Sequence, residues 1–221
     1  MGGGVPKALR HLCAEPLLTH ALREAFRSNR ISALVVVGPK AHQAEIYEIV
    51  SGLKVETSLE ALWTQVVPGG RTRTESVTAG LAALRERAEE HILVHDAARA
   101  LAPAHLFGEV IDALRSDVDA VVPALPVVDT IKQVDSNGHV MGTVDRNPLR
   151  AIQTPQGFTR TMLERVHACA VETTDDAALV EKLGGIVVCV SGSELARKVT
   201  TPADMAIAEA LLNLPAEARE R

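Results

Sequence analysis

Ala33-Leu34-Val35-Val36-Val37-Gly38-Pro39 decides the fold. Five consecutive apolar residues, three of them valine, are too short to span a bilayer and read as a strand buried on both faces. Gly38 ends the run, and Pro39 suits the first turn of a following helix. Upstream, Leu9 to Arg27 reads as a helix; downstream, Thr74 to Glu90 reads as a helix with a Thr cap. Ile92-Leu93-Val94 is a second buried strand, followed by a helix from about Ala104, and Ala120-Val121-Val122 is a third, stopped by Pro123. Thr174-Asp175-Asp176 caps a helix that ends at Gly184-Gly185, and Ile186 to Val190 is a strand. Thr201-Pro202-Ala203-Asp204 opens the last helix with a cap, a proline at its first position and a carboxylate three residues past the cap. Buried strands alternating with helices predict an α/β, Rossmann-like fold: a mostly parallel sheet with helices on both faces, in one domain over 1–221.

Residues 127–156 break that rhythm. Asp129 to Val134 and His139 to Gly142 flank Asp135-Ser136-Asn137-Gly138, and Asn-Gly between two alternating runs is a strong hairpin signal. An isolated two-stranded arm is marginally stable in water. It must lie on its own domain or on another subunit, which predicts a homodimer through the protruding β-arm.

Composition narrows the function. A net charge of −5, with one Trp, one Tyr and three Phe, disfavours nucleic acid, which calls for a basic face and stacking rings. Neither a membrane-spanning run nor the apolar core of a signal peptide is present in this sequence. Cys13, Cys169 and Cys189 are odd in number, widely spaced and set among apolar residues, and so read as buried thiols in a reducing, cytoplasmic compartment.

Open α/β sheets bind ligands beyond the carboxyl ends of their strands. His95-Asp96-Ala97-Ala98-Arg99 stands there, after Ile92-Leu93-Val94. Asp96 can hold a divalent metal and Arg99 can pair with substrate; equally, the two can form a local salt bridge. His95 orients backbone rather than ligating metal, since no second His or Cys lies at metal-ligand spacing. Gly69-Gly70-Arg71-Thr72-Arg73-Thr74-Glu75-Ser76 is either a glycine turn that receives an anion or base edge at a helix start, or an ordinary turn. Asp145-Arg146 and Gln153-Thr154-Pro155-Gln156 sit at the base of the arm, where an arm crossing to a partner could deliver Arg146 to a neighbouring site. Lys198 follows a short apolar stretch. Met1-Gly2-Gly3-Gly4-Val5-Pro6-Lys7 looks like the second half of a phosphate-binding loop, with backbone N–H groups and Lys7 aimed at phosphate. The alternative is a plain flexible start; the phosphate-loop reading is preferred.

The order of these short motifs is specific. Val5-Pro6-Lys7, Gly69-Gly70-x-x-Arg73-x-x-Ser76-Val77, His95-Asp96-Ala97-Ala98-Arg99, Asp129-Thr130-Ile131-Lys132, Gln153-Thr154-Pro155-Gln156-x-Phe158, Thr174-Asp175-Asp176 and Lys198-Val199-Thr200 recur in order in one family. Across essentially its whole length the chain resembles the 2-C-methyl-D-erythritol 4-phosphate cytidylyltransferases of the non-mevalonate isoprenoid pathway. Ala100 and Leu195-Ala196 resemble the actinobacterial branch. The resemblance implies transfer of CMP from CTP to a polyol phosphate with release of pyrophosphate, and Mg²⁺ as cofactor. It implies catalytic lysines at Lys7 and Lys198, with Gly4, Gly69, Gly70, Arg73, Ser76 and Asp96 on the nucleotide. Asp96 also lies at the metal, and Arg99, Thr130, Arg146, Thr154 and Thr174 take the polyol phosphate. The residue matching Arg146 reaches across the dimer in that family.

Two departures accompany the resemblance. Glu194-Leu195-Ala196-Arg197 replaces an acidic or amide-bearing stretch before the last lysine. The family also opens with a buried strand and an Ala-Ala-Gly-x-Gly-x-Arg loop ahead of the point where Met1 stands. Lacking these, the chain is expected to be poorly stable and nearly inactive, with exposed edges on the neighbouring strands and fewer phosphate donors. The alternatives are a ribitol-5-phosphate cytidylyltransferase, which shares the nucleotide motifs, and a nucleotide-binding remnant that binds CTP without turnover.

Overall fold

The computed structural model describes residues 4–114, 117–169 and 175–215. A 3-10 turn, Lys7–Leu9, leads into a short hairpin of β1 (His11–Leu12) and β2 (Glu15–Pro16), and only then into α1 (Leu17–Arg27). The helix expected from Leu9 therefore starts later. Cys13 takes a left-handed φ of 56° in the hairpin turn, and Pro16 has no N–H for a helix interior. β3 (Ala33–Gly38), α2 (Gln43–Glu56) and β4 (Trp63–Pro68) make a βαβ unit, parallel from Ala33↔Trp63 to Gly38↔Pro68. α3 (Arg73–Ala83) is capped by Thr72, whose hydroxyl accepts from the Glu75 N–H, rather than by Thr74. It stops well short of Glu90, because beyond Leu84 only Ala88 interrupts a run of charges and nothing remains to bury.

β5 (His91–Val94), α4 (Ala104–Ala113) and β6 (Ala120–Pro126) continue the pattern. Then come β7 (Ile131–Val134), β8 (Val140–Val144), β9 (Arg150–Ile152), β10 (Gln156–Thr159) and α5 (Arg160–Ala168). The chain closes through α6 (Ala177–Lys182), β11 (Val187–Ser191) and α7 (Pro202–Leu212). The main sheet runs β11-β6-β10-β5, with β9 also on β6. β11 and β6 are parallel, but β10 is antiparallel to both its neighbours, so the sheet is mixed rather than mostly parallel. Along β6, Ala120 and Val122 face Leu163, Val166 and Val180 of α5 and α6, whereas Val121 packs on Val110 of α4. Helices thus cover both faces of that strand, as its unbroken apolar run requires.

β3 and β4 form a separate ladder. A largely apolar cavity of about 700 Å³ is lined by residues of β3 and β5, among them Val35, Val37, Ile92 and Val94, together with Leu22 and the polar Arg73, Ser76, His95 and Asp96.

Other expectations change. β6 runs through Pro123 to Pro126. Pro123 sits where β6 changes partner, between Val121↔Gly157 of β10 and Ala124↔Ile152 of β9, a break in the ladder that tolerates a missing N–H. Asp176 provides no side-chain cap to α6, and Thr174 lies outside the described residues. All three cysteines are exposed: Cys13 in a turn, Cys169 at the end of α5, and Cys189 on β11. Thr201 and Asp204 form the expected capping box.

The hairpin forms as the Asn-Gly signal requires. β7 pairs with β8 from Ile131↔Val144, Gly138 takes φ 83°, and Asp135 accepts the N–H groups of Asn137 and His139, each at 2.9 Å. The hairpin pairs with no other strand among the described residues and leaves Val134, Val140 and Met141 exposed.

Candidate active site

Three loops and one helix start converge at Asp96. The loop after β5 is held by two successive turns, Arg99 N–H to Asp96 O (2.8 Å) and Ala102 N–H to Arg99 O (3.0 Å). Buried Thr154, in the β9–β10 connection, accepts the Asp96 N–H at 3.1 Å and lies 3.0 Å from His95 Nδ1. His95 stacks near Phe107, ring centroids 5.2 Å apart, and burial pushes its pKa down to about 4, so the ring is neutral. Tied to Thr154, it orients the loop, in keeping with the sequence reading.

The loop after β11 is stitched to the same place. Val199 N–H donates to Ala98 O at 2.8 Å, and Arg99 Nη1 donates to Ala196 O at 2.7 Å. Gln153, buried, grips Ser193 twice: its Nε2 donates to Ser193 O (2.8 Å) and its Oε1 accepts the Ser193 N–H (2.9 Å). Lys198 Nζ is thereby held 2.6 Å from Asp96 Oδ2. Lys7 shares a surface recess of about 330 Å³ with Val199, Thr200 and Thr201, which brings the first lysine to the loop that carries the second.

The Asp96–Arg99 salt bridge is not the arrangement found. Arg99 donates Nη1 and Nη2 to the carbonyls of Ala196 and Ile152, and its Nε is a buried donor with no hydrogen-bond partner among the described residues. Arg73, the first residue of α3, has Nε 3.9 Å from Asp96 Oδ1 and Nη1 2.6 Å from Asp176 Oδ2. Burial alone would raise the Asp96 pKa, but the Lys198 hydrogen bond and charge, with Arg73 and Arg99, hold it below its usual value. A chain of net charge −5 thus gathers three cations around one carboxylate that lines the cavity.

The Gly69-Gly70 turn is sterically determined. A Cβ on Gly70 would meet Glu75 Cβ at 2.2 Å and its backbone carbon at 3.2 Å. Gly70 N–H donates to Ser76 Oγ (3.1 Å), which donates to Thr72 O (2.9 Å), so Ser76 also closes the turn itself. Gly4 is exposed, and a Cβ there would meet nothing within 4 Å. Thr130 and Arg146 are exposed at the hairpin base and are not brought to Asp96 within this chain; Arg146 Nη1 donates to Val128 O.

No group of three His, Cys, Asp or Glu able to hold a metal occurs among the described residues. Asp96 alone still fits Mg²⁺, which takes one or two carboxylates and completes its shell with substrate phosphates and water. The roles of Gln153 and Asp176 were not anticipated; each is one polar residue in a polar stretch, a weak signal without the partner's position.

The family described as 2-C-methyl-D-erythritol 4-phosphate cytidylyltransferase matches residues 1–214. A protein of that description from Streptomyces avermitilis is 45% identical over 219 residues, covering 96% of this chain and 86% of its own. Among solved structures, a 4-diphosphocytidyl-2C-methyl-D-erythritol synthase from Anaerococcus prevotii superposes with a TM-score of 0.82 at 28% identity, over 94% of this chain and 93% of its own. The 2-C-methyl-D-erythritol 4-phosphate cytidylyltransferase of Thermus thermophilus gives 0.75 at 32% identity, over 96% and 95%.

Proposed function

The chain belongs to the 2-C-methyl-D-erythritol 4-phosphate cytidylyltransferase family, and from that premise we propose how its residues divide the work. The reaction moves CMP from CTP to 2-C-methyl-D-erythritol 4-phosphate, giving 4-diphosphocytidyl-2-C-methyl-D-erythritol and pyrophosphate for isoprenoid precursor synthesis. A phosphate oxygen of the acceptor attacks the α-phosphorus of CTP, the bond to the bridging oxygen breaks, and pyrophosphate leaves. Two polyanions must meet without an enzyme nucleophile, so catalysis is positioning and charge neutralisation.

Lys7 and Lys198 flank the α-phosphate and stabilise charge as it builds there. Gly4, Gly69, Gly70, Arg73 and Ser76 hold the nucleotide. Arg99, Thr154 and Thr174 take the acceptor phosphate. Mg²⁺, bound at Asp96, would neutralise the triphosphate and polarise it. Thr130 and Arg146 act on the site of the partner subunit in a homodimer built on the hairpin, whose exposed Val140 and Met141 favour such an interface. Three free cysteines suit a reducing, cytoplasmic setting; no described helix is long and apolar enough to cross a membrane.

The observation that carries this reading is the contact of Lys198 with Asp96, with Arg73 and Arg99 around it. Lys198→Met and Lys7→Met should each lower kcat by about 10²–10³-fold, the scale for one lost transition-state donor, with CTP still bound. Wild-type kcat in either variant would remove that lysine from the chemistry.

A further inference from the structure

Asp176 is fully buried at the start of α6 and forms an ion pair with the Arg73 guanidinium, whose Nη1 lies 2.6 Å from Oδ2, close in distance but off the line of a hydrogen bond. Its other oxygen, Oδ1, accepts from His167 Nε2 of α5 at 3.0 Å. The His167 side chain is 2% exposed, and its Nδ1 lies 3.2 Å from Thr78 Oγ1 on α3; Thr78 in turn donates to Thr74 O at 3.0 Å. A closed chain of polar contacts therefore runs from α6 through α5 back to the helix that carries Arg73. Arg73 is 27% exposed, and its Nε stands 3.9 Å from Asp96 at the mouth of the site.

A carboxylate out of water is costly unless it is paired and otherwise bonded. Such a cost needs a return. Arginine has a planar fork of five donors, so one edge can be anchored while the rest face a ligand. We propose that Asp176 and His167 are a positioning pair: they fix the Arg73 guanidinium beside Asp96 before CTP arrives, so that binding does not have to order a long side chain. The proposal rests on Arg73 contacting the nucleotide. Neither Asp176 nor His167 touches substrate. Arg73→Lys would keep the charge and lose the two-sided geometry.

The test is a double-mutant cycle on kcat/KM for CTP, with KM for methylerythritol phosphate and the melting temperature followed in parallel. Arg73→Met and Asp176→Asn are each expected to lower kcat/KM for CTP by about 10²-fold, the scale of a small displacement of a positioning group. KM for methylerythritol phosphate should stay unchanged. Asp176→Asn in the Arg73→Met background should cost nothing further, because the pair acts only through Arg73; that double variant removes both charges and is expected to fold even if Asp176→Asn alone does not. His167→Gln should give a smaller loss in the same parameter. Two full, multiplying losses, or equal damage to both substrates, would overturn the proposal and leave a structural staple. No effect of Arg73→Met would overturn it together with the nucleotide role of Arg73.

Discussion

Lys198 Nζ and Asp96 Oδ2 lie 2.6 Å apart across 102 residues of sequence. The pair is half open to solvent, the lysine side chain 45% exposed and the aspartate 23%, so its net energy is modest. On the roles proposed above, an incoming nucleotide with Mg²⁺ would have to exchange that contact for phosphate on the lysine and metal on the carboxylate.

Asp96→Asn tests that exchange. The variant keeps the shape but loses the charge, so Mg²⁺ must bind through phosphate and water alone. The Mg²⁺ concentration for half-maximal rate should rise at least about tenfold, a loss of ~1.4 kcal/mol or more, and kcat should fall. An unchanged Mg²⁺ dependence would mean that Asp96 serves only to hold Lys198. Chelation of Mg²⁺ should stop turnover of the wild type altogether.

His95 gives the fold a pH dependence. Burial lowers its pKa from 6.5 to about 4. Between those values the unfolded chain binds a proton that the folded one refuses, so stability falls as pH drops from 6.5 towards 4, by up to ~3 kcal/mol, and the group contributes nothing above that window. His95→Asn, which can still meet Thr154, should flatten the difference in melting temperature between pH 5 and pH 8. An equally steep difference in the variant would place the titration elsewhere.

The hairpin supplies a test of assembly. Met141→Glu and Val140→Glu place charge at exposed apolar positions on opposite faces of the hairpin and should shift the protein to monomer in sedimentation velocity. If Arg146 serves the partner's site, mixing inactive Arg146→Ala and Lys198→Met proteins should restore about a quarter of wild-type activity, since half the dimers then carry one intact site. No recovery on mixing would confine Arg146 to its own chain.

Features whose partners lie within a few residues were legible in the sequence. The Thr201–Asp204 capping box and the Asn137-Gly138 turn are of this kind, as are the runs Ala33 to Val37 and Ile92 to Val94. Errors arose where distant contacts decide. Pro123 reads as a stop until β9 and β10 are known to divide β6 between them. Cys189 reads as core because its neighbours are apolar, yet β11 has one sheet partner and leaves that side chain to solvent. Asp176 reads as a helix cap from its place before Ala177, and only the fold brings Arg73 and His167 to it. Motif order picked out Asp96, Arg99, Thr154 and Lys198, which the fold sets at one place, and Thr130 and Arg146, which it does not; the links from the Gln153 and Arg99 side chains to the backbones of Ser193 and Ala196 leave little trace in residue type.

The most direct measurement is pyrophosphate release from CTP and Mg²⁺ with methylerythritol phosphate or ribitol phosphate as acceptor. Release that depends on methylerythritol phosphate, with the cytidylylated product formed and ribitol phosphate inert, is the predicted result. Equal use of ribitol phosphate, or CTP binding without release, would contradict it.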